Sequence, residues 1–260
     1  MALSVESQAG GVALITLDEA AARNAFDLES MQALSNAFTV LLADPEIRAV
    51  VLTGTGRFFC AGADINAFRT AIDDGTIGEV VHGLTEILHP LLLELRKSDT
   101  VYVAALNGAA AGGGLGLALA ADYRVAAPDA KLAAAFFSLG LSPDGGTTWL
   151  LPRLVGSQRS RKFFFENETW TGEEALEAGA VDEVAEQEQL VSRAIEVAAD
   201  WGKWSAVSRR STKQLLDAQN ATFFESQLGL EQALMTAASL TPDFEEGVDA
   251  FLEKREPKFD

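Results

Sequence analysis

Three consecutive glycines, Gly112-Gly113-Gly114, and one carboxylate in a turn, Asp144, are the residues from which chemistry can be argued first. A run of bare backbone lets a ligand approach the main chain closely. The triplet follows a β-type run, Val101 to Leu106, and precedes an apolar run of helix formers, Leu115 to Ala121. The expected order is strand, glycine turn, helix. Free N–H groups at a helix start point outward and favour negative charge. The stretch can therefore hold an anion, or an oxygen that becomes one during reaction. It is not a dinucleotide fingerprint: counting from Gly112 the sixth place is Leu117, and from Gly108 the third is Ala110. No Gly-Lys-Ser/Thr follows, so it is not a P-loop. A close helix–strand crossing that needs small residues would explain the triplet equally well.

A second small-residue loop changes that balance. Cys60-Ala61-Gly62-Ala63 follows the β-branched run Arg48 to Thr53, which reads as a buried strand. Two glycine/alanine loops after two strands of one sheet could aim backbone donors at a single oxygen, forming an oxyanion hole. Asp144 lies in Leu141-Ser142-Pro143-Asp144-Gly145-Gly146, where Pro-Asp-Gly is also ordinary turn chemistry. His82 and His89 stand seven apart on a long helix and read as surface or pocket-lining residues. With no cysteine nearby they do not suggest a metal site, and none is expected. Trp149, Trp170, Trp201 and Trp204 read as core or subunit contacts.

The elements that must position these groups follow from pattern. Ser4–Ser7 can pair with Gly11–Leu17 as a hairpin across Ala9-Gly10-Gly11. Asp27 is a good N-cap for a helix whose apolar stripe is Leu28, Met31, Leu34, Phe38 and Leu41. That helix leads to the strand at 48–53, giving a right-handed crossover unit. Val81, Leu84, Leu88, Leu91 and Leu95 make a core-facing stripe on the next long helix. Thr171-Gly172-Glu173-Glu174 is a capping box. Stretches 187–204, 205–219, 222–239 and 242–254 read as helices, so strands alternate with helices early and helices dominate late.

The chain has 260 residues, 48% of them hydrophobic, enough for one large domain with a sizeable core. A formal charge of −18 argues against a nucleic-acid surface, which would present a basic patch. Cys60 is the only cysteine, which excludes an intrachain disulfide and fits a reducing compartment. The start MALSVESQAGG lacks the basic and apolar regions of a signal peptide. The longest apolar stretch, 101–121, carries Asn107 and five glycines, so no membrane span is expected. The expected location is cytoplasmic.

Taken together, Arg23-Asn24-Ala25, Cys60-Ala61-Gly62-Ala63-Asp64-Ile65, Asn107 through Gly114, and Thr171 through Ala175 resemble the crotonase superfamily of enoyl-CoA hydratases and isomerases. The likeness runs from about residue 4 to the tail FLEKREPKF. It implies an α/β fold with a crotonase-like ββα-spiral core and a helical C-terminal trimerisation region. The corresponding division is 1–200 for the acyl-CoA-binding core and 201–260 for the helical region. It implies an acyl-CoA thioester as substrate, no further cofactor, and a homotrimer or dimer of trimers. Matched residue by residue, the oxyanion donors would be the N–H groups of Ala63 and Gly113. Each well-placed donor contributes roughly 3–4 kcal/mol of transition-state stabilisation. CoA would lie along Arg23, Ala25, Ala61, Asp64 and Ile65, with Phe136 beside the acyl group. Phe251 and Lys254 match positions that reach a neighbouring subunit's CoA.

The departures decide which reaction to expect. The typical hydratase of the family uses two glutamates, and the matching positions here are Gly116 and Phe136. Activating water and delivering a proton suits a pair of carboxylates, so hydration by that route is not expected. Asp122 sits at a helix-to-strand turn and reads as structural. Asp144 falls where several family isomerases place their acid/base. Phe137 through Gly146, followed by Leu151-Pro152-Arg153-Leu154-Val155-Gly156, resembles the phenylacetate-pathway epoxyacyl-CoA isomerase branch. One carboxylate can move a proton between two carbons, so the resemblance leads to an expected acyl-CoA isomerase that shifts a double bond or rearranges a ring through a thioester enolate, with Asp144 as single acid/base. Phe136, Phe137 and Leu141 are expected to shield Asp144 from water. The 4-chlorobenzoyl-CoA dehalogenase also places an aspartate here, as nucleophile; its tryptophan and histidine match Phe136 and Leu93, which weakens that likeness. The same motifs would also suit a hydratase-like enzyme or a non-catalytic acyl-CoA binder.

Overall fold

The computed structural model describes residues 2–19, 21 and 23–218, together with Pro242, Glu246, Arg255, Lys258 and Phe259. Strands β1 (Leu3–Gln8) and β2 (Val12–Leu17) form the expected antiparallel hairpin. Helix α1 (Leu28–Ala43) is capped by Asp27. Its Oδ1 accepts from the Ser30 N–H at 2.9 Å, and Ser30 Oγ accepts from the Asp27 N–H at 2.9 Å. This reciprocal pair satisfies two donors that a helix start leaves open. The stripe Met31, Leu34 and Phe38 is fully buried, while Leu28 at the first turn packs against Gly83.

Next come β3 (Ala49–Gly54), β4 (Phe58–Cys60), α2 (Ile65–Asp73), α3 (Ile77–Lys97), β5 (Val101–Leu106), β6 (Ala109–Ala111), α4 (Gly113–Leu119), β7 (Tyr123–Ala126) and β8 (Lys131–Ala133). Consecutive strands divide between two sheets. The larger runs β1-β2-β3-β5-β7 with a last strand β10 (Glu183–Val184), and the smaller runs β4-β6-β8 with β9 (Thr169–Thr171). Each of the pairs β3/β4, β5/β6 and β7/β8 sends its first strand to the large sheet and its second to the small one. That is the ββα spiral expected from the resemblance. One expectation needs correction: Ala109–Ala111 is not a turn but a strand, paired with β4 on one side and β8 on the other. Alanine has little intrinsic preference for strands, so neighbours on both sides decide this element.

Helices α5 (Thr147–Val155), α6 (Ser157–Phe165), α7 (Gly172–Ala178), α8 (Leu190–Gly202) and α9 (Ala206–Ala218) complete the described chain. The capping box on α7 is present between Thr171 and Glu174. A division at residue 200 falls in the last turn of α8. Asp122 is structural, as expected: it accepts from the Tyr102 N–H at 2.9 Å and pairs with Lys213 at 2.5 Å. The helices read at 222–239 and 242–254 lie almost wholly outside the described residues, as do Phe251 and Lys254.

Two buried amides hold the small sheet in register with the large one. Asn24 Nδ2 donates to the carbonyls of Phe58 at 2.7 Å and Thr55 at 3.1 Å, and its Oδ1 accepts from the Glu19 N–H at 2.9 Å. Asn107 donates to Gly56 and Phe58 and accepts from the Gly54 N–H at 2.9 Å. Both amides thus fasten the turn that leads into β4. Asn24 is fully buried and has a φ of 50°, a conformation asparagine tolerates better than alanine. Asn24→Ala should lower unfolding stability by about 2–4 kcal/mol, from orphaned backbone groups and the backbone conformation together. Urea denaturation of the variant checks this, and a loss below about 0.5 kcal/mol would contradict the clamp.

Candidate active site

Strands β4 and β6 lie side by side and parallel, with Phe58 opposite Ala109 and Cys60 opposite Ala110. The residues just past their carboxyl ends, Ala61–Ala63 and Gly112–Gly113, therefore leave the sheet together. Open parallel sheets commonly bind ligands at this end of the strands. A Cβ placed on Gly62, whose φ is +83°, would lie 2.9 Å from the Ala111 carbonyl oxygen and 3.1 Å from the Gly113 nitrogen. One on Gly114 would collide with the Cys60 carbonyl. Small residues are needed in both loops because each loop's backbone packs on the other. Among the described residues, the N–H groups of Ala63 and Gly113 have no acceptor. Both residues line one cavity of about 310 Å³.

The rest of the cavity is mostly apolar, with Thr85, Ser142 and Asp144 as its polar side chains. Phe26, Phe68, Val81, Leu84, Leu88, Phe136, Leu139 and Leu141 contribute to its wall. The α3 stripe faces the core, as expected, at Leu84, Leu88, Leu91 and Leu95, and at its start Val81, Leu84 and Leu88 also line this cavity. Ala61 and Ile65 are also in the wall. Arg23 and Ala25 belong to a strip that runs beside the first loop: the Ala61 N–H donates to Arg23, Phe26 to Gly62, and Asp64 to Phe26. The Asp64 side chain caps α2 by accepting from the Asn66 N–H at 2.8 Å. Arg23, Ala25 and Asp64 are thus at the cavity's edge rather than in its wall.

Asp144 is in the wall, and the reason is Gly116. A Cβ at Gly116 would lie 2.5 Å from the Gly145 carbonyl oxygen and 3.0 Å from the Gly145 Cα. The missing side chain lets the loop before α5 dock on α4. Gly145 has a φ of +61°, and a Cβ on it would be 3.7 Å from the Gly113 Cα. The neighbouring carboxylate is thereby brought to the cavity that the two small-residue loops line. The Asp144 carbonyl also accepts from the N–H and Oγ1 of Thr147, at 3.2 and 2.8 Å, fixing the backbone of the turn.

Two expectations about Asp144 are corrected. Its side chain is 40% exposed, and Phe137 and Leu141 are themselves exposed, so their shielding is incomplete. Phe137 instead packs edge-on against Phe165. The second correction concerns histidine. Leu93 points to solvent, whereas His89, one turn earlier on α3, places Nε2 2.7 Å from Asp144 Oδ1. His82 pairs with Glu86 on the helix surface. The sequence signal for His89 is its place next to Leu88 on the cavity-lining stripe. Among the described residues, no group of three or more His, Cys, Asp or Glu could hold a metal ion.

Cys60 lies beneath the first loop, fully buried, with Sγ accepting from the Gly62 N–H at 3.4 Å. Burial pushes its thiol up to about 12, so it is uncharged at neutral pH and is no nucleophile. A thiol reagent at pH 8 should leave the native protein unmodified and take one equivalent after unfolding. Rapid reaction of the native protein would show that the loop opens readily.

Residues 7–260 match the family described as Enoyl-CoA hydratase/isomerase. The chain belongs to that family. This enoyl-CoA hydratase/isomerase family member is 34% identical over 249 residues to the 1,2-epoxyphenylacetyl-CoA isomerase of Escherichia coli K12, covering 96% of this chain and 95% of that one. It is 32% identical over 248 residues to the 2,3-dehydroadipyl-CoA hydratase of the same organism, with 95% and 94% covered. The crystal structure of an enoyl-CoA hydratase from Polaromonas sp. JS666 superposes with a TM-score of 0.92 at 30% identity, covering 99% of both chains. The fold is therefore the α/β crotonase-like one, and its relatives carry both isomerase and hydratase names. Among the described residues, no helix of this family member is long and apolar enough to cross a membrane.

Proposed function

We propose that the protein acts on an acyl-CoA thioester and shifts a double bond in its acyl chain through an enolate. The single observation that carries this reading is one cavity lined by Ala63, Gly113 and Asp144, in which the two N–H groups have no protein acceptor among the described residues. The thioester carbonyl oxygen would accept from those two donors. Asp144 would remove a proton from C2 of a 3-enoyl thioester, and negative charge would build on the bound oxygen. The same carboxyl group would return the proton to C4, leaving the conjugated 2-enoyl product. Proton number balances, and no water is consumed.

The apolar wall suits a hydrocarbon or aromatic acyl group. Arg23, Ala25, Ala61, Asp64 and Ile65 would carry the CoA portion along the adjoining strip, with Phe251 and Lys254 of a neighbouring subunit in a trimer. The core and the helical region would meet near residue 200.

Hydration is the second reading, and one observation favours it. His89 beside Asp144 supplies a second group able to handle protons, so the absence of both family glutamates does not leave Asp144 alone. The same pair also removes the missing-histidine argument against a nucleophilic aspartate. Proton NMR of a 3-enoyl-CoA and of a 2-enoyl-CoA in deuterated water separates these. Conjugated product supports isomerisation, its deuterium content at C4 reporting how far the Asp144 proton exchanges with solvent before it is returned, and 3-hydroxyacyl-CoA from the 2-enoyl substrate supports hydration. Chloride release from 4-chlorobenzoyl-CoA would favour the nucleophilic role. Binding of acyl-CoA with neither product nor C2 exchange would overturn the catalytic reading.

A further inference from the structure

We infer that His89 is a positioning residue for Asp144, holding one carboxylate oxygen so that the other faces the cavity. This inference rests on the reading of Asp144 as the proton carrier. For Asp144 to act as the base it must be a carboxylate, which can only accept, so in that state the Nε2 of His89 is the donor across the 2.7 Å contact. Among the described residues this is the one hydrogen bond to the Asp144 side chain; the Thr147 bonds hold only its carbonyl.

Asp144 needs such a hold. It follows Pro143 and precedes two glycines with positive φ, and its side chain is 40% exposed. A carboxylate in that setting would otherwise turn freely toward water. His89 comes from a different element, α3, whose adjacent Leu88 lines the cavity and approaches both Gly113 and Gly145. The helix that shapes the acyl site therefore also orients the base. His89 itself is not part of the cavity wall, while Asp144 is. The imidazole thus approaches the carboxylate from outside and leaves Oδ2 for substrate.

A hydrogen bond to a charged group contributes enough that its loss should cost about 10- to 100-fold. The test compares wild type, His89→Leu, His89→Gln and Asp144→Asn on 3-enoyl-CoA isomerisation. His89→Leu should lower kcat by about 10- to 100-fold with KM changed less than about threefold. His89→Gln, which keeps an N–H at similar reach, should restore kcat to within a few-fold. His89 is half exposed, and matching thermal melts of wild type and variants verify that folding is intact. Wild-type kcat in His89→Leu, with Asp144→Asn inactive, overturns this inference alone. An Asp144→Asn variant as active as wild type overturns the underlying reading. A loss in KM rather than kcat, or no rescue by glutamine, also defeats the positioning role.

Discussion

Asp144→Asn should lower kcat for conversion of a 3-enoyl-CoA to its conjugated isomer by about 10²- to 10⁴-fold, the usual contribution of a placed acid/base. KM should change little, because on the proposed reading the acyl group would be held by the cavity residues Phe26, Leu84, Leu88 and Phe136, none of which the substitution touches. The amide preserves the size of the side chain. The turn should persist, since the Asp144 carbonyl, not its carboxylate, takes the two bonds from Thr147. Fixed folding with lost turnover is therefore the expected pairing. Deuterium exchange at C2 reads the first half-reaction separately, and it should fall in parallel. Retained C2 exchange in the variant would mean that another group removes the proton.

Gly116→Ala should lower kcat by about 10²-fold, the scale on which a displacement near 1 Å acts on a positioned reaction. The added methyl would meet the Gly145 carbonyl oxygen at 2.5 Å and its Cα at 3.0 Å. Both are backbone atoms, so no side chain can swing aside, and the turn must move with Asp144. The contact lies on the turn's side of α4, and the helix itself is buried in the core. The overall fold should thus survive while the carboxylate leaves its place beside Gly113. The same geometry gives an expectation for Gly116→Glu, which installs the residue typical of family hydratases. That variant should lose isomerisation without gaining hydration, because the Asp144 turn already fills the space. Appearance of 3-hydroxyacyl-CoA from a 2-enoyl-CoA would contradict the argument.

The two predictions bear on one turn, the first at its carboxylate and the second at its seat on α4. A family hydratase with a glutamate at this position needs room for a side chain on α4, whereas this chain fills that room with the Gly145 backbone. Relatives named for hydration and for isomerisation are each about one-third identical to this chain over nearly its whole length. The choice between chemistries is therefore sought in such local exchanges of volume rather than in the architecture. This is the general relation between fold and function.

Most of the framework is legible along the chain because local physics writes it. The β1–β2 hairpin, the Asp27 and Thr171 caps, the stripe of α1 and the buried runs of β3 and β5 each follow from periodicity or capping over a few residues. The pairing of two small-residue loops is also readable, since glycine and alanine mark close backbone approach wherever they cluster. Ala109–Ala111 escapes such a reading because three alanines between glycines look like turn chemistry. Their strand pairing depends on β4 and β8, which lie far off in the chain on either side. The same limit hides the contact between His89 and Asp144, groups 55 residues apart with no pattern joining them. Gly116 carries only an absence when read in sequence; folding turns that absence into the seat for Gly145. Short-range propensity is printed in residue order, but which carboxylate oxygen faces a cavity depends on how distant elements pack.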